Sequence, residues 1–214
     1  MKKSTMSLLV LSLMFVFGCS TEGDQIDENN NNPNFRVYDA IIKGSTSIEG
    51  DRSEEGCPVV NEDACLTTNL IAGQNNLAGQ VTVTTDGENL IITYETCDDW
   101  TIDLTHLSIG DCEQSIPTTG SGNPKVGHFE HTEPHSIGTN QVVYMISLDA
   151  IPESYCFAAH AEVDGPTGGE TAWAEGPEFD GNSWAMYVEA LLSDCPTPGE
   201  EEEEGEEGDG SDEE

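Results

Sequence analysis

The chain reads as all-β, and three observations predict it. Apolar residues recur with period two in short runs, as in 80–85, where Val81 and Val83 share one face and Thr82 and Thr84 the other. Asp86-Gly87 falls between two such runs, a hairpin signal because glycine accepts the positive φ that a tight turn requires. Elsewhere Gly, Asn, Asp and Pro punctuate short apolar stretches with no long helical period. Seven or eight short strands over about 160 residues suffice for one core and not two. They predict a single antiparallel β-sandwich, immunoglobulin-like or jelly-roll-like in class.

Taken in order, 37–43 is the first expected strand, and 50–66 is a loop carrying Cys57-Pro58 and Cys65. The run 80–85 and the run 89–96, with Leu90, Ile91, Ile92 and Tyr94, form the hairpin around Asp86-Gly87. Further strands are expected at 100–109, 141–148, 155–163 and 170–174. Trp184, Tyr187, Val188 and Leu191 also fit helical spacing, but Gly-rich turns bracket them and 183–190 is read as a strand.

The two ends differ in composition from this body, which spans 36–196. Lys2 and Lys3 precede a mostly apolar run from Met6 to Phe17, too short to span a bilayer, and Gly18-Cys19 follows. The ending Val16-Phe17-Gly18-Cys19 resembles the lipobox of bacterial lipoproteins. That resemblance implies a signal peptide over 1–18, cleavage before Cys19, and palmitate-type acylation of its thiol. Two or three acyl chains, at roughly 0.8 kcal/mol per buried methylene, hold a protein on a membrane where one chain does not. Residues 19–35 are polar, acidic and low in complexity, as a flexible tether is. Acidic residues soon after the cysteine resemble the surface-export signal of some Gram-negative lipoproteins, so outer membrane or cell surface is expected before inner membrane. The segment 197–214 is nearly all Glu, Asp and Gly and reads as a disordered acidic tail, a solvated bristle or at most a low-affinity calcium sponge.

Charge and cysteines bound the function. The net charge is −36 with six Lys and Arg. Past the signal only Arg36, Lys43, Arg52 and Lys125 remain, scattered, which excludes a nucleic-acid partner, since phosphate binding needs clustered cations. Apart from Cys19 the cysteines are Cys57, Cys65, Cys97, Cys112, Cys156 and Cys195, an even set expected to form up to three disulfides in an oxidising compartment. No C-x-x-C pair suggests zinc. If 89–97 and 101–109 form a hairpin turning at Asp98-Asp99, Cys97 and Cys112 lie roughly 30 Å apart at about 3.3 Å per residue, which excludes that pairing.

From about Leu70 the chain carries a set of short strings: Ile71-Ala72-Gly73-Gln74, Gly79-Gln80-Val81-Thr82-Val83, Asp86-Gly87-Glu88-Asn89-Leu90, Gly127-His128-Phe129, Ala158-Ala159-His160-Ala161, Gly169-Glu170-Thr171-Ala172-Trp173 and Ser183-Trp184-Ala185-Met186-Tyr187. Together they resemble a domain found in exported and cell-surface proteins of bacteria and archaea. The resemblance covers about 125 residues and implies a β-rich extracytoplasmic domain. It carries no catalytic residue.

Two constellations point to chemistry. His128, His131 and His135, with Glu130 and Glu133, lie within one segment expected to be a loop because of Pro134. His106 and His160 sit within two separate expected strands; were they to meet His135, three imidazoles and an open position would make a zinc hydrolase site. Trp173 and Trp184 lie near Glu175, Glu178 and Asp180, the residue types of a sugar-holding face, although tryptophan also fills sandwich cores. No G-x-S-x-G elbow occurs, so no catalytic residue is assigned. The expectation is a lipid-anchored envelope protein acting as a non-enzymatic display or binding module for a glycan or protein, with no resident cofactor. The alternatives are a metal-dependent hydrolase using His106, His135 and His160, and a carbohydrate-binding module using Trp173, Trp184, Glu175 and Asp180.

Overall fold

Ten strands join into one hydrogen-bonded antiparallel sheet, seen in a computed structural model that describes residues 35–40, 56–59, 61, 63–113 and 115–195. The signal, Cys19, the tether up to residue 34 and the acidic tail lie outside the described residues, as do 41–55 of the body. The strands are β1 (Phe35–Ala40), β2 (Leu66–Ala72), β3 (Asn76–Thr85), β4 (Asn89–Thr96), β5 (Thr101–Gly110), β6 (His131–Pro134), β7 (Gln141–Ser147), β8 (Ser154–Gly165), β9 (Gly168–Ala174) and β10 (Val188–Leu191). Their order in the sheet is β1-β7-β4-β3-β2-β9-β8-β5-β6, with β10 also pairing β8. β10 pairs the start of β8 (154–157), and β9 its later part (160–165).

The sheet curls on itself. Tyr94 on β4 donates its hydroxyl to the backbone oxygen of His106 on β5, 3.1 Å away, although four strands separate β4 from β5 in the sheet. Tyr144 on β7 bonds the hydroxyl of Thr105 on β5. Inside the curl lie Leu70, Val81, Val83, Leu90, Ile92, Tyr144, Leu107 and Phe157, none exposed, in one apolar cluster. Strands β4 and β7 alternate strictly between buried and half-buried residues, as strands with one covered face do.

The all-β antiparallel reading holds, and several details differ from expectation. The Asp86-Gly87 hairpin forms: Gly87 takes φ +89°, and the Asp86 carboxylate accepts the backbone N–H groups of Glu88 and Asn89. Those bonds hold the Asp86 carboxyl below its ordinary pKa, the Asn89 side chain contributing most. The hairpin of 89–97 with 101–109 does not form, because β4 pairs β3 and β7 while β5 pairs β8 and β6. The turn at Asp98-Asp99 carries the chain across the curl instead. Two strands were not expected: β2 follows the loop assigned to 50–66, and β6 lies in the segment read as a loop. β2 opens on Thr67, Thr68 and Asn69, which lack an apolar alternation. β6 ends the sheet, where Pro134 withholds a donor that no neighbour needs. In 183–190 only Val188 onward is strand, with Met186 in an isolated bridge to Glu178.

All six body cysteines are paired: Cys57–Cys97, Cys65–Cys195 and Cys112–Cys156. Cys97 and Cys112 thus take different partners. Three disulfides place this body in an oxidising environment. Among the described residues no helix is long and apolar enough to cross a membrane.

Candidate functional site

Strands β5 and β8 are buried on both faces, unlike β4 and β7. Leu107, Ala159, Ala161 and Val163 face the curl. With period two, His106, Ala158, His160 and Glu162 face the other way. Pairing then aligns residues across four neighbouring strands: Thr132 opposes His106, His106 opposes His160, and His160 opposes Trp173. The Nδ1 atoms of His106 and His160 are 3.2 Å apart, one hydrogen bond from ring to ring. The Trp173 ring lies against His160, centroid to centroid 4.6 Å. His106 is 7 % exposed, His160 5 % and Trp173 5 %.

Two loops cover this outer face. One runs from β5 to β6 and brings Ile116, Val126 and Phe129; the other runs from β9 to β10 and brings Phe179, Trp184, Ala185 and Met186. Phe129 and Phe179 both meet Trp173 edge-on, at 6.4 and 6.3 Å between centroids. The loops lock to each other. Asn123 Oδ1 accepts the backbone N–H of Ser183 at 3.0 Å. A Cβ on Gly181 would stand 2.1 Å from that same oxygen, so only glycine fits. Cys112–Cys156 fastens the first loop to β8 where the loop begins. The result is a second, aromatic cluster separate from the main core.

Burial sets the state of the histidines. Desolvation pulls the His160 pKa down to about 3, with His106 beside it adding in the same direction. Desolvation also lowers His106, partly opposed by Glu162. Both rings are neutral at pH 7, and one Nδ1–H serves as donor to the other Nδ1.

The expected three-histidine centre is not assembled. Neighbouring residues on a strand point to opposite faces, so Thr105 looks into the curl while His106 looks out. His135 follows Thr105: its Nε2 lies 2.7 Å from Thr105 Oγ1, which also bonds the buried Tyr144 hydroxyl. His131 opposes Leu107 and lies near Tyr144, ring centroids 6.3 Å apart, on that inner side as well. Desolvation lowers His131 to about 4, and raises Tyr144. His128 is exposed. Among the described residues no group of three or more His, Cys, Asp and Glu is placed to hold a metal ion.

The expected sugar-holding residues are spread out too. Trp173 is closed over by phenylalanines and offers no open face; Trp184 is half-buried against the same cluster. The exposed Glu175 accepts a hydrogen bond from Asn69 Nδ2 at 2.7 Å and is committed to the β2 neighbourhood. Asp180 is exposed where the two loops lock. Sequence reasoning missed the pairing of His106 with His160 and the Thr105–Tyr144–His135 cluster. A signal existed for the first: Tyr155–Ala161 is nearly continuous in apolar and small residues, the mark of a strand covered on both sides.

No family model matches the chain, and no curated protein or solved structure matches it either.

Proposed function

We propose that the chain is a lipid-anchored protein of the cell envelope whose disulfide-bonded body displays a binding surface on the outer side of a membrane, with the two halves of the curled sheet stacked as a β-sandwich. The observation that carries this is the use of the cysteines. Of seven, six are consumed in three intramolecular disulfides, and the seventh, Cys19, is the one the lipobox resemblance reserves for acylation. A binding role is preferred over hydrolysis because a hydrolytic metal keeps one position open to water and substrate. His106 and His160 instead lie beneath two interlocked loops, and His135 serves another face. A glycan or a protein is the class of partner; the strongly acidic surface disfavours polyanions.

The test is the mass of the N-terminal peptide of the native protein, recovered from the membrane fraction. It is expected to begin at Cys19 and to carry two or three acyl chains, and Cys19→Ser is expected to leave the precursor uncleaved. A mature N terminus elsewhere, or an unmodified thiol, defeats the proposal.

A further inference from the structure

We propose that His106 and His160, walled by Trp173, form a site for a soft monovalent cation of the copper(I) or silver(I) class. The argument starts from the number and aim of the donors. Two imidazole nitrogens point at each other from directly opposed positions on paired strands, 3.2 Å apart. With metal–nitrogen bonds near 2.0 Å, such a pair closes on one ion at a bent angle of about 105°. A separation of about 4 Å, twice that bond length, makes the geometry linear, and rotation of two side chains supplies the difference.

The rest of the surroundings selects the ion. Zinc and other divalent ions want four or more ligands, and among the described residues no third His, Cys, Asp or Glu joins these two. A filled-shell monovalent ion is content with two nitrogens. Trp173, on the next strand, packs against the His160 ring, 4.6 Å between ring centroids, and helps to fix its orientation. The Glu162 carboxylate acts on His106 from the same outer face and offsets the added charge. For both Nδ1 atoms to ligate, the ring that donates the Nδ1–H bond shifts that proton to its own Nε2, and each ring stays neutral. The body cysteines are all oxidised and cannot compete as thiolates.

The experiment uses the full chain with its disulfides intact, uniformly labelled with 15N, in chloride-free buffer, and silver(I) as the probe because it does not change oxidation state. One equivalent of silver(I) is expected to produce metal–nitrogen scalar couplings on the Nδ1 signals of His106 and His160 and on no other histidine. His106→Gln and His160→Gln are each expected to weaken binding by more than about 100-fold, beyond the loss that removal of a mere outer partner causes. His128→Gln, at an exposed ring, is expected to change it less than about 2-fold, and near-ultraviolet circular dichroism of each variant checks that the fold persists. A tenfold excess of zinc is expected not to displace silver(I). Couplings on His128, His131 or His135 instead, displacement by zinc, or full affinity in folded His106→Gln and His160→Gln proteins would each overturn the proposal.

Discussion

Replacing His160 by glutamine is expected to remove a large part of the acid sensitivity of this fold. In the native state the His160 ring is held at about 3 against an ordinary 6.5, chiefly by burial. A depressed histidine gives the unfolded chain the greater proton uptake, so stability is intact above pH 6.5 and falls as the pH drops toward the folded value. One pKa unit is worth about 1.36 kcal/mol. Between pH 7 and pH 5 the loss from His160 alone comes to about 2 kcal/mol, and by pH 4 to about 3 kcal/mol. Against a domain stability of roughly 5–15 kcal/mol, that is readily measured. Carboxylate protonation acts the other way, since it relieves the self-repulsion of a chain at net −36. The informative quantity is therefore the difference between wild type and His160→Gln in urea unfolding at pH 7 and at pH 5, in which the carboxylates cancel. Glutamine keeps a polar group beside His106, so the variant should lose only about 1 kcal/mol at pH 7. Its drop on acidification should be smaller than wild type's by about 2 kcal/mol. His128→Gln, at an exposed ring, should keep the wild-type drop. Equal acid slopes in wild type and His160→Gln would refute the reasoning, because they would mean that His160 takes up its proton as easily folded as unfolded.

Four other perturbations separate the roles of individual groups. Converting Cys112 and Cys156 to serine opens a loop closed over a separation of 44 residues, worth up to about 4 kcal/mol in chain entropy; hydrogen exchange should show the loss of protection concentrated in 111–130. Gly165→Ala puts a methyl 2.3 Å from the ring of the buried Trp100 and should cost about 2–3 kcal/mol in urea unfolding, through a shift of that ring. Thr105→Val takes a hydrogen-bonding hydroxyl from both His135 and Tyr144 and should cost about 1–3 kcal/mol. By contrast Tyr155→Phe should be neutral or stabilising within about 1 kcal/mol, because the Tyr155 hydroxyl is buried with no hydrogen-bond partner among the described residues.

What could be read from the sequence follows from the range of the forces involved. Turn chemistry is local, so Asp86-Gly87 announced its hairpin, and in the structure the Asp86 carboxylate ties the turn. Short β-rich runs are local too, and 89–96 and 141–148 were found as strands, close to β4 and β7. Pairing between distant strands is not local. Nothing near Asp98-Asp99 says that the chain crosses the curl there instead of folding back, since a two-residue turn suits either outcome. The same limit hid the site. His106 and His160 are 54 residues apart, and their meeting depends on the register of β5 on β8, with its irregularity between Ile102 and Leu104. Without that extra residue every later side chain of β5 would change face, and Thr105 and not His106 would have met the outer loops. His135 was grouped with the wrong pair for the same reason: parity along β5 decides which histidine meets which, and parity is invisible until the bulge is known.

The location of the histidine pair matters more than its composition. The main core lies inside the curl, and the outer face of β5, β8 and β9 carries a separate aromatic cluster. Yet two loops rich in glycine and proline, the first with a single short 3-10 turn at Val126–His128, are clamped over that face by a disulfide, an asparagine and a glycine that tolerates no side chain. Loops of this length are entropically costly to fix. The chain has little charge pairing to spend on them, because among the residues with described side chains Lys125 is the one lysine or arginine. A covering fixed by other means, over a buried polar pair that weakens the fold in acid, is poorly explained as packing alone. Apolar residues at positions 106 and 160 would cover the face without any proton linkage. Two opposed imidazoles beneath such a covering are the arrangement that the proposed cation site uses.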